Sequence, residues 1–147
     1  MTGVDPYELK RFIAAQEPIF STALAELRAG RKRTHWMWFV FPQLRGLGRS
    51  ATATYYGIGS FDEARAYLAH PVLGPGLDLC TNAVLGVEGR TPHEIFGSPD
   101  DMKFYSSMSL FVLAASDRAG PCRTALDRWW RGEADPETVR LLGLREA

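Results

Sequence analysis

The sequence predicts an all-α fold, a single compact domain over residues 1–147 in which seven to eight short helices surround one long central helix. Three observations carry this expectation. Proline follows a capping residue at Asp5-Pro6, Thr91-Pro92, Ser98-Pro99 and Asp135-Pro136, the arrangement that opens a helix, and Glu94 and Asp101 stand three residues after their caps. Apolar residues recur at helical spacing between these starts, above all from Pro99 to Ser116. There Met102, Tyr105, Met108 and Val112 form one stripe with Phe104, Phe111 and Ala115 beside it, so this helix is apolar around much of its circumference and belongs at the centre. No repeat, low-complexity run or linker divides the chain, whose length suits one core.

Taken in order, Pro6 to Gln16 reads as a first helix with Leu9, Phe12 and Ile13 inward. Glu17-Pro18 breaks it, and a second helix from Pro18 to Ala29 turns Ile19, Phe20, Ala23, Leu24 and Leu27 inward before Gly30 ends it. Trp36 to Phe41 suits a short helix stopped by Pro42, or by propensity a buried strand. Ser50 to Tyr56 follows as a helix, then Ser60 with Glu63 marks a capping box ahead of Ala64, Tyr67 and Leu68. His70-Pro71 is a turn, because a residue before proline is pushed away from helical geometry. Leu77 to Leu85, Pro121 to Arg131 and a last piece from Pro136 to about Leu142 complete the set.

Composition limits the function classes. Seventeen basic and seventeen acidic side chains cancel, which argues against broad binding of nucleic acid or anionic membranes. No apolar run reaches the length of a membrane span, and the first ten residues lack a leader pattern, so a cytoplasmic setting is expected. Cys80 and Cys122 have no CxxC spacing and are expected as free thiols, the second at a helix start whose amides could lower its pKa. His35, His70 and His93 show no metal-ligand spacing, so neither a metal nor a cofactor is called for.

The stretch from Thr34 to Gly48 concentrates Trp36, Trp38, Phe39 and Phe41 beside His35 and Gln43. Rings at this density fill a core or line a pocket, and a Trp or His tip wants a hydrogen-bond partner. Arg31, Lys32, Arg33, Arg45 and Arg49 bracket it with positive charge, whereas Gly46-Leu47-Gly48 lacks the strand and helix context of a phosphate loop. On the Pro99 helix, Asp100, Lys103 and Ser107 share a face, with Ser106 adjacent. A carboxylate, an ammonium and hydroxyls near free helix-start amides suit an anion, although Asp100 with Lys103 also makes an ordinary surface pair and the serines also suit close helix packing.

Three segments, Gly30 to Gly48, Glu63 to Leu77 and Ile95 to Phe111, closely resemble a bacterial family known as domain of unknown function number 1810 and loosely labelled calpastatin-like. The resemblance spans nearly the whole chain, starting at Phe12 to Gln16. It implies a small, helical, cytosolic bacterial protein without an established activity, and nothing in these residues bears out the calpastatin label. Its signature positions fall here on His35, Trp36, Trp38, Phe41, Pro42, Gln43, Gly46, Gly48, His70, Pro71, Gly74, Asp100, Lys103, Ser106 and Ser107. The family commonly carries arginine where this chain has Gly76; if that arginine served an anion, this chain would bind it less well.

Two functional readings follow. In the first, a phosphate-containing or nucleotide-like ligand occupies a pocket walled by Trp36 and Trp38, with Gln43, Lys103, Ser106 and Ser107 as polar contacts. Whether the chain is also an enzyme is open; the candidate catalytic groups are His35, Asp100 and Asp101, an aspartate serving as base toward water. In the second, the chain is a non-enzymatic module that binds protein or nucleic acid through Arg31 to Arg33 and an exposed Trp129 or Trp130, a reading that the neutral net charge weakens.

Overall fold

Why the helices begin where they do is visible in their first turns. The computed structural model describes residues 4–115 and 120–146. The ten helices among them are α1 (Lys10–Gln16), α2 (Phe20–Arg28), α3 (Met37–Val40), α4 (Ala51–Tyr56), α5 (Phe61–Ala69), α6 (Leu73–Leu85), α7 (Pro92–Phe96), α8 (Asp100–Ala115), α9 (Gly120–Trp130) and α10 (Pro136–Glu146). The count exceeds the predicted eight or nine because α3 and α7 are pieces of only four and five residues. Ser50 and Ser60 accept from the amides of Ala53 and Glu63, and Thr91 with Glu94 forms a reciprocal capping box. His70 fixes its turn as expected, its Nδ1 accepting from the amides of Val72 and Leu73 at the start of α6.

Several boundaries differ from the sequence reading, with α2 beginning at Phe20 and not at Pro18, and α6 beginning at Leu73, four residues before Leu77. The first helix starts at Lys10 and not at Pro6, because the Asp5 carboxylate accepts from the amides of Leu9 and Lys10 and closes a turn in which Glu8 is left-handed, with φ of 51°. The last helix continues past Leu142 to Glu146. The predicted end of the central helix at Ser116 lies outside the described residues.

Helix α8 is the hub. It packs against α3, α5, α7, α9 and α10, and every side chain from Phe104 to Val112 is buried. A chain of aromatic contacts runs through the core around it: Phe104 meets Phe41 edge-on at 5.0 Å and stacks on Phe96 at 4.8 Å, while Phe111 meets Tyr67, which in turn meets Phe12. The strand alternative for the aromatic stretch gives way to the short helix α3, followed by one parallel bridge between Leu44 and Ile58.

Candidate functional site

The site begins with a carboxylate that the sequence reading passed over. Glu26, in the last turn of α2, accepts from the amides of Arg33 and Thr34, the Thr34 hydroxyl and the Trp36 indole N–H, at 2.7 to 3.0 Å. Burial by itself pushes this carboxyl up. The four donors, led by the Arg33 amide, outweigh it and hold the group down at about 2. A carboxylate on an otherwise apolar helical stripe, three residues after Ala23 and beside Leu27, was the signal available in the sequence.

Glu26 decides which tryptophan faces inward. With its indole N–H on that carboxylate, Trp36 is 1% exposed and packs against Phe41, so it is a core residue and not a pocket wall. Trp38, two residues on, is consequently turned to the half-buried side, where the Lys103 ammonium lies 5.2 Å from its ring centre.

Lys103 reaches Trp38 from α8 and shares Asp100 with a second lysine. Asp100 lies 2.9 Å from the Lys32 ammonium and 3.4 Å from that of Lys103, so two cations meet one carboxylate. Lys32 is sequestered, its side chain 8% exposed over the Trp36 ring, while a quarter of the Lys103 side chain remains accessible. The basic run is thereby divided: Lys32 belongs to the site, and Arg31 and Arg33 project into solvent.

Gln43 completes the cluster. Its carbonyl accepts from the Ile58 amide, and the Arg45 amide donates to the Ile58 carbonyl, tying the loop to the end of α4. Gly46 occupies left-handed backbone with φ of 109°, and Gly48 sits so close to α4 that a Cβ there would lie 2.6 Å from the Ala53 methyl. These glycines serve chain geometry and packing. Trp38, Gln43 and Lys103 line one cleft with Met37, Phe41 and Tyr56, whose enclosed part measures about 10 Å³, the space of one water. A space of that size admits a single water-sized group, such as one terminal oxygen.

The remaining candidates fall elsewhere. Ser106 is buried and donates to Asp135 at 2.9 Å, sharing that carboxylate oxygen with the Thr138 hydroxyl, and Ser107 is fully buried beneath the surface, so neither lines the cleft. The amides of Asp101, Met102 and Lys103 already bond to the Gly97 and Pro99 carbonyls, which removes them from an anion. Asp101 turns to the Met102 amide and to His93, 3.1 Å away. His35 is exposed and lines none of the cleft. Trp129 and Trp130 are half-buried, the latter stacked on Tyr105 at 4.3 Å, and do not project as an exposed pair. Burial pushes the Cys122 thiol up to about 12, opposite to the lowering expected at a helix start, and Cys80 rises likewise.

Fold and site together define a small helical domain with a shallow aromatic and basic cleft beside its central helix. The chain belongs to the family described as "Protein of unknown function (DUF1810)", whose model matches residues 6–142. It is similar to the conserved hypothetical protein Rv1873 from Mycobacterium tuberculosis, whose crystal structure superposes with a TM-score of 0.91 at 54% identity, covering 95% of this chain and 99% of that one. No curated protein matches it.

Proposed function

We propose that this chain binds a small phosphate-bearing, nucleotide-like molecule at the cleft between Trp38, Gln43 and Lys103. One observation carries the reading: Lys32 and Lys103 converge on the single Asp100 carboxylate, which leaves an ammonium in excess on an accessible side chain beside an aromatic face. An anionic oxygen entering the cleft meets Lys103, and a ring attached to it comes to rest near the Trp38 indole. The Gln43 amide offers both a donor and an acceptor to the ligand. A bacterial cytosolic setting accompanies this reading, supported by the mycobacterial relative and by two buried free thiols.

The test is a thermal-shift series with inorganic phosphate, nucleoside monophosphates and ribose phosphates. A ligand at about 100 times its Kd stabilises by about 2.7 kcal/mol, a readily measured rise in Tm. Lys103→Ala and Trp38→Ala abolish the rise while keeping the unliganded Tm, and Lys103→Arg retains part of it. A flat series from well-folded protein removes the small-molecule reading.

A further inference from the structure

A second depression lies away from this cleft, where the end of α1 and the start of α2 face the first turns of α6. It is a groove of about 400 Å³, within the size range of small-molecule sites. Its walls are apolar: Ile13 and Phe20 on one side, Val72, Pro75 and Leu79 on the other. Val72 and Leu79 are among the exposed large hydrophobic residues of the chain, at 56% and 42%. Gly76 keeps it open, because a Cβ there already stands 3.4 Å from the Phe20 ring and a longer side chain would enter the groove.

The polar groups of the groove are one-sided. Gln16 lines it, and both hydrogens of its amide are taken, by the Phe39 carbonyl at 2.6 Å and the Tyr67 hydroxyl at 3.1 Å. Because a carbonyl only accepts, the amide orientation is fixed and its Oε1 remains as an acceptor. Glu17 adds a carboxylate, and no ion pair among the described residues includes it. Acceptors and a negative charge thus meet an apolar trough in whose lining no cation takes part among the described residues.

We propose that this groove binds a small apolar molecule bearing a primary ammonium, an arylalkyl or alkyl amine, its body between Phe20 and Leu79 and its ammonium on the Gln16 carbonyl and the Glu17 carboxylate. A neutral molecule of the same shape loses the charge-assisted contact, and an anion is repelled by Glu17.

Amide NMR titrations with 2-phenylethylammonium, 2-phenylethanol and 3-phenylpropionate test this. The ammonium shifts the amides of Glu17, Gly76 and Leu79 and binds about tenfold more tightly than the alcohol, the equivalent of about 1.4 kcal/mol, with the carboxylate weakest. Glu17→Gln, at an exposed position, brings the ammonium down to the alcohol's affinity, and Gly76→Leu blocks all three probes. Lys103→Ala leaves amine binding unchanged, which separates this site from the Trp38 cleft. Equal binding of the three probes, or no response in the groove at millimolar concentration, overturns the proposal. So does self-association in sedimentation that Leu79→Lys dissolves, because the groove is then an interface between copies of the chain.

Discussion

Arg11 uses all five of its guanidinium N–H groups inside the protein, although the sequence shows it only as one polar residue of an amphipathic helix. Nε donates to the Tyr55 carbonyl, the Nη atoms donate to the carbonyls of Tyr7, Glu8 and Gly57, and one of them pairs with the Glu63 carboxylate at 2.7 Å. Both side chains of that ion pair are less than a tenth exposed. One residue therefore holds together the turn before α1, the end of α4 and the start of α5. Replacing it leaves a carboxylate and several carbonyls short of a partner, and breaking a buried pair from one side costs about 3–5 kcal/mol. Arg11→Met is expected to fall in that range by urea unfolding. Glu63→Gln is expected to cost less, about 1–3 kcal/mol, since the carbonyl contacts of Arg11 persist. An Arg11→Met midpoint close to that of the unaltered protein would mean that water replaces those contacts freely and that the pair has no structural weight.

The segment from α3 to α4 shows how much of a site rests on backbone approach. Gly48→Ala puts a methyl 2.6 Å from the Ala53 methyl and 3.3 Å from the Gln43 amide nitrogen, so the loop must move away from α4 and take Gln43 with it. We expect a loss of about 1–3 kcal/mol together with weaker binding of any ligand held by Gln43; an unchanged Tm and unchanged thermal-shift responses would show that the loop yields at no cost. Most elements here were legible in the sequence because their starts are chemical: serine, threonine and proline at the first turn act over three or four residues. The hub role of α8 was legible as well, since its apolar residues surround the helix. What stayed hidden depends on partners far along the chain. Trp36 and Trp38 are equivalent by composition and spacing, and only the Glu26 carboxylate, ten residues before Trp36, turns one inward and leaves the other at the cleft. Ser106 reads as a ligand contact or a packing residue until Asp135, 29 residues later, is placed against it.

For the molecule as a whole, Glu26 links acid stability to the packing of the aromatic core. Its carboxylate bridges α2 to the loop that carries Trp36, and it bears its charge among neutral donors, so the fold favours the ionised form. The folded-state pKa, about 2, lies below the ordinary 4.5. A depressed value contributes stability that is fully present above 4.5 and is lost as pH falls toward 2, because below 4.5 the unfolded chain takes up a proton that the folded chain resists. The term is on the order of 2 kcal/mol for a partly screened group. Glu26→Gln removes it at all pH values. The stability gap between the unaltered protein and this variant, measured by urea unfolding, is therefore expected to be widest at pH 6–7 and to narrow through pH 4 and 3. The indole N–H resonance of Trp36 should report the same transition in NMR, because protonation weakens the acceptor that holds its indole in the core. A gap that stays constant down to pH 3 would place the stabilisation in the shape of the side chain and not in its charge, and the acid sensitivity of the core would then have to arise from other carboxylates.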